Sequence, residues 1–128
     1  MGSGCVLWRG GCGTGIEKGC AMPDCIFCRI AAGEIPAQLV YEDDQFLAFE
    51  DVNKQAPTHL LVIPKRHIVR LTDLKEEDAS FLGKWLLVGN RVAEQAGIAA
   101  SGYRLVANCN DDGGQTVFHI HLHVLGGR

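Results

Sequence analysis

No apolar run in the chain approaches the roughly 20 residues needed to cross a bilayer; the stretches LLVI and WLLV are each interrupted by charged or polar residues within a few positions. A membrane-spanning helix is therefore excluded and no membrane partner is expected. Basic residues are also in short supply: 12 Lys+Arg stand against 15 Asp+Glu, and no block of them offers the electrostatic footprint that binding along a nucleic acid requires. Any phosphate must then be recognised locally. Internal repeats, low-complexity core segments and a second domain are absent too, and 128 residues with 47% hydrophobic content suffice for one core without disulfide staples.

The six cysteines do not form a disulfide-scaffold pattern. Cys25 and Cys28 make a C-x-x-C, and Cys109 sits alone in an apolar segment, which fits a reducing compartment such as the cytoplasm. The Gly-rich start, with Cys5, Cys12 and Cys20, has neither the apolar core of a signal peptide nor the Arg/Ser-rich pattern of a transit peptide. Residues 1–22 are read as a disordered extension, with the domain running from 23 to 128.

Periodicity predicts an α+β fold. CIFCRIAAG reads as a short N-terminal helix ended by Gly33, and LVYEDDQFLAFED as a hairpin over residues 39–51. HLLVIP (59–64) is a third strand. Phe81, Leu82, Trp85, Leu86, Val88, Val92 and Ala96 recur at helical spacing between Asp78, a plausible N-cap, and Gly97. Strands at 103–109 and 117–125, joined by NDDGGQT, complete a five-stranded antiparallel sheet with one long helix.

The last strand carries HIHLH. Alternation places His119, His121 and His123 on one face and Ile120, Leu122 and Val124 on the other, with the outer histidines about 13 Å apart. They cannot all ligate one ion. A zinc hydrolase using H-x-H, a merely polar strand face, and nucleophilic catalysis by a neutral imidazole are the three readings. Three of the five histidines in one register speak against the second. The third also draws on Gly113 and Gly114, which can bring backbone N–H groups near a phosphate, with Gln115 and Thr116 as side-chain donors.

The string HIHLHVLGG matches the signature of the histidine triad (HIT) superfamily, in which three histidines alternate with apolar residues. Upstream blocks IFCRIAAGEIPAQLVYEDDQFLAFED, QAPTHLLVIPKRHI, GYRLVAN and DGGQTVFHIHLH resemble its Hint branch, the purine nucleoside phosphoramidases, over about Cys25 to Arg128. The resemblance implies a homodimeric, HIT-like enzyme that cleaves P–N bonds of purine nucleoside 5′-phosphoramidates, releasing a nucleoside monophosphate and needing no catalytic metal. His121 would be the nucleophile, His119 and His123 its flanking partners, and His59 a supporting histidine. Asn108, Gly114 and Thr116 would lie at the phosphate and leaving group, Asp51 at the ribose hydroxyls, and Ile35, Phe49 and Val52 at the base. Thr116 departs from the serine usual in that branch. The helix around Trp85 and a strand edge are the expected dimer interface. Rivals are dinucleoside polyphosphate hydrolysis of the Fhit type, a nucleotide-binding regulatory module without catalysis, and a zinc-stabilised interaction domain.

C-x-x-C spacing suits two thiolates on one tetrahedral ion, or a redox pair. In triad relatives with this motif the remaining ligands are a histidine after PK and the first triad histidine. Here those are His67 and His119, giving a structural zinc of Cys2His2 type.

Overall fold

The computed structural model describes residues 25–127, so the expected disorder of residues 1–22 and the domain start at 23 lie outside the described residues. Helix α1 (Ile26–Ala31) is followed by strands β1 (Leu39–Glu42), β2 (Phe46–Glu50) and β3 (Thr58–Pro64). Two 3-10 turns lead into α2 (Ala79–Gln95), and β4 (Tyr103–Val106) and β5 (Leu122–Gly126) close the domain. All strand pairs are antiparallel in the order β1-β2-β3-β5-β4, as an α+β reading requires.

The central strand β3 explains why HLLVIP is apolar without alternation: both of its faces are covered. Leu60 and Val62 join Phe46, Ala48, Ile120, Leu122 and Val124 beneath the α2 residues Trp85, Val88, Val92 and Ala93. Leu61 and Ile63 join Leu47, Phe49 and Phe27 on the other face, beneath α1. Trp85 Nε1 donates to Val62 O at 3.0 Å, so the indole is both core and tether. Helix α1 ends as expected, with Gly33 at φ +80° where a side chain would be strained. Asp78 occupies the N-cap position of α2, but its carboxylate accepts instead from Lys75 N (2.9 Å) and Arg66 (3.3 Å).

Two strands are shorter than their apolar runs. The segment 117–121 bends before β5 begins at Leu122, leaving His119 and His121 outside the ladder. Pairing between β3 and β5 stops at Val62↔Leu122, beyond which Pro64 offers a carbonyl that the His119 imidazole takes, and Ile120 N bonds Ile68 O at 2.8 Å. The side-chain alternation nevertheless survives: Ile120, Leu122 and Val124 pack under α2, while His119 and His121 face Phe27 of α1. Likewise β4 ends at Val106, short of Cys109, where Gly113 closes on the chain; a Cβ there would lie 2.5 Å from Cys109 O.

Candidate active site and metal cluster

His121 is held by a single backbone carbonyl. Its ring is 5% exposed, and its Nδ1 lies 2.8 Å from the backbone carbonyl of His119. A carbonyl only accepts, so Nδ1 carries the proton and Nε2 the lone pair. Burial lowers the pKa of His121 below the usual histidine value, opposed by that same hydrogen bond, so the imidazole is neutral at physiological pH.

A second chain of bonds sets His123. Gln55 N–H donates to His59 Nδ1 at 3.0 Å, which leaves the proton of neutral His59 on Nε2. That Nε2 is 2.9 Å from His123 Nδ1 and 3.3 Å from Asp51 Oδ2. His123 therefore accepts at Nδ1 and presents an Nε2–H donor. Burial first, then the neighbouring His121 and His59, push its pKa down to about 4. Burial also lowers that of His59, with Asp51 acting in the opposite sense. The His121 and His123 rings are 5.0 Å apart, so a lone pair and a donor stand side by side.

Cys25, Cys28, His67 and His119 converge on a single point. His119 Nδ1 is 3.3 Å from Cys25 Sγ, 3.5 Å from Cys28 Sγ and 3.3 Å from His67 Nδ1, and Cys28 Sγ is 3.2 Å from His67 Nδ1. A tetrahedral ion with bonds of about 2.0–2.3 Å sets its ligand atoms roughly 3.3–3.8 Å apart. The donor set could hold a metal ion. Tautomers agree: His119 donates Nε2–H to Pro64 O at 2.7 Å, freeing Nδ1 for the centre. The Cys25 thiol is pulled well below its ordinary range, first by its hydrogen bond with Cys28 and then by His119 and His67, against the opposing effect of burial; this favours the thiolate, the ligating form.

Asp51, His59 and His123 also lie within ligand distance of one another, yet they are unsuited to an ion. The Gln55 amide claims the lone pair of His59 Nδ1, so the Nε2 atom facing that cluster bears the proton.

The remaining predicted site residues separate into three groups. Thr116 and Gly114 are exposed, and Asn108 and Ile35 are half-buried, all open to a ligand in some measure. Phe49 is core, packed edge-on against Phe27 at 5.6 Å, and Val52 is fully exposed on the loop after β2. The buried Gln115 side chain bonds within the protein: its Oε1 accepts from Asn110 N at 2.9 Å, and its Nε2 donates to Val69 O and Val117 O. Gly114 N–H likewise donates to Asp111 O at 3.0 Å, closing the loop on itself. Asp51 accepts from Asn53 N at 2.9 Å through Oδ1, leaving Oδ2 towards His59.

Sequence reasoning missed Phe27. It is buried between the two cysteines of C-x-x-C and stands edge-on to the rings of both His119 (5.9 Å) and His121 (5.2 Å). Its position inside the ligand motif was the available signal.

Residues 32–128 match the profile of the HIT domain family. The chain is 50% identical over 103 residues to purine nucleoside phosphoramidase of Escherichia coli strain K12, covering 80% of this chain and 87% of that protein. Among solved structures, a HIT family hydrolase from Legionella pneumophila superposes with a TM-score of 0.80 at 52% identity, covering 82% of this chain and 94% of that one. A histidine triad protein from Clostridium difficile gives 0.81 at 46%, covering 84% and 93%.

Proposed function

Because the chain belongs to the HIT domain family, we propose that it is a nucleotide hydrolase that cleaves the P–N bond of purine nucleoside 5′-phosphoramidates through covalent catalysis by His121. One observation carries the assignment: the His121 Nδ1–H···O=C His119 bond leaves Nε2 of a neutral, buried imidazole unprotonated and available as a nucleophile.

Nε2 attacks phosphorus in line with the leaving amine. The P–N bond breaks as the N–P bond to His121 forms, and the amine departs with a proton supplied by the Thr116 hydroxyl. The His123 Nε2–H donates to a non-bridging oxygen, where charge accumulates. In the second step water attacks phosphorus and displaces His121, releasing AMP or GMP, and Thr116 is reprotonated from that water. Catalysis rests on positioning and charge stabilisation by this chain's own donors, without a catalytic metal. Asn108 and the 113–116 turn border the phosphate; Asp51 Oδ2 takes the ribose hydroxyls; Ile35 and the neighbouring Phe49 and Val52 flank the purine.

The metal at Cys25, Cys28, His67 and His119 is zinc, because two thiolates and two imidazoles at tetrahedral spacing match its preferences. Metal analysis of the purified protein should find close to one zinc per chain, lost in Cys25→Ser. The chain acts as a homodimer in the cytoplasm, consistent with reduced Cys25 and Cys28, with exposed Leu86 and Leu87 on α2 and with the open edge of β4. Trp85 itself is buried in the core, so the interface on α2 falls to its neighbours rather than to the indole.

The decisive experiment incubates wild type and His121→Ala with an adenosine phosphoramidate and with diadenosine polyphosphates and follows AMP. Release from the phosphoramidate by wild type alone is expected. No release from either substrate removes the enzyme reading, and release only from the polyphosphates moves it to the Fhit type.

A further inference from the structure

The metal cluster and the nucleophile are joined at His119. This fully buried residue points Nδ1 at Cys25, Cys28 and His67, anchors Nε2–H on Pro64 O, and offers its own carbonyl to His121 Nδ1. With the imidazole pinned at both ring nitrogens, the backbone at 119 is held in place, and a shift of it would displace the acceptor that selects the tautomer of His121. The residue after His67 adds a second attachment, since Ile68 O accepts from Ile120 N, the amide between His119 and His121. A third comes from α1: the short helix that carries Cys28 and is capped by Cys25 also presents Phe27 edge-on to the His121 ring. An isolated six-residue helix is far below the length that is stable in water, so α1 depends on what it is fastened to.

We propose that metal occupancy of the Cys25/Cys28/His67/His119 cluster sets the orientation and tautomer of His121, making His67 and Phe27 positioning residues for the nucleophile although neither reacts. The inference rests on the catalytic reading of His121 and on the zinc assignment, and it gives the cluster a task beyond holding the fold. Without the ion, the two thiolates and two imidazoles lose their common centre, α1 loosens, and the His119 carbonyl no longer has a fixed direction. The Nε2 lone pair of His121 then spends part of its time protonated as the other neutral tautomer, which cannot attack phosphorus.

The test compares wild-type protein with His67→Ala and with His67→Cys, which offers a Cys3His set that zinc accepts. Metal content, circular dichroism, kcat, KM and the nitrogen-15 spectrum of the His121 ring are measured on each. Wild type is expected to hold its metal and show one His121 tautomer with the proton on Nδ1. His67→Ala is expected to lose the metal, show both tautomers, and lose about tenfold to a hundredfold in kcat with KM little changed; His67→Cys should restore the metal, the single tautomer and most of the rate. A folded, metal-free His67→Ala protein that keeps the Nδ1–H tautomer and wild-type kcat overturns the proposal. If His67→Ala does not fold, Cys25→Ser, which removes one ligand at the half-buried cap of α1, decides: a folded, metal-free protein with an unchanged His121 spectrum overturns the proposal and a mixed one supports it. Wild type that releases no AMP refutes the phosphoramidase reading, while the tautomer comparison still gives its own answer.

Discussion

At the level of single side chains, the catalytic assignment depends on which ring nitrogen carries a proton. His121 is fixed by a backbone carbonyl and His123 by an imidazole that is itself fixed by the Gln55 amide; a carboxylate, Asp51, stands only at the margin. This has a consequence for pH. The pKa values of His121 and His123 are lowered, so both stay neutral below the ordinary titration range of histidine, and kcat/KM should be flat above pH 6.5 and fall only in more acidic buffer. A pH-rate profile that already declines between pH 8 and 7 would contradict the assignment. Replacing His121 by Ala should remove at least about a thousandfold of kcat, since nothing else supplies the covalent step. The shared face of the three histidines and the pairing of the C-x-x-C were legible in the sequence because residue type and spacing carry them, whereas His59 was reached only through the family resemblance. The use of Gln115 was not legible, because an amide beside a glycine pair suits a bound phosphate as well as its actual clamp on Asn110, Val69 and Val117. Gln115→Ala removes three bonds to part-buried backbone groups and should cost about 1 kcal/mol in denaturant unfolding, an effect on stability that a phosphate ligand alone would not produce.

Among the elements, periodicity located all five strands and both helices, and it failed at their ends. Apolar alternation from Val117 to Leu125 reads as one strand, but the ladder needs a partner and β3 stops supplying one near Pro64. That shortfall is useful to the site: leaving the ladder lets the His119 imidazole reach Pro64 O and its carbonyl reach the His121 ring. The short α1 was legible from its glycine stop, whereas its role in covering the β3 face with Phe27 depends on tertiary contact. The tie between the long helix and the sheet can be tested at Trp85. Trp85→Phe keeps an aromatic ring in the core but leaves Val62 O without its indole donor, and the combined loss of that bond and of ring volume should lower stability by about 1–3 kcal/mol, read from the urea midpoint, with kcat unchanged because α2 lies on the face opposite His121.

For the whole domain, a face of buried histidines with lowered pKa values makes stability sensitive to acid. His59, His121 and His123 all have pKa values lowered by burial, so between their folded and unfolded values the unfolded chain binds more protons than the native one. Their contribution is complete above the unfolded pKa of about 6.5 and is lost as pH falls towards the folded values, which for His123 is about 4. The melting temperature should therefore hold steady from pH 8 to 7 and fall progressively between pH 6.5 and 4. Acid also protonates thiolate and imidazole ligands, so the same fall could come from the metal cluster. His123→Asn distinguishes the two origins, because Asn does not titrate and residue 123 is outside the cluster. If the histidine face is responsible, that variant has a shallower slope between pH 6.5 and 4 at unchanged metal content; an identical slope assigns the acid sensitivity to the ligands instead.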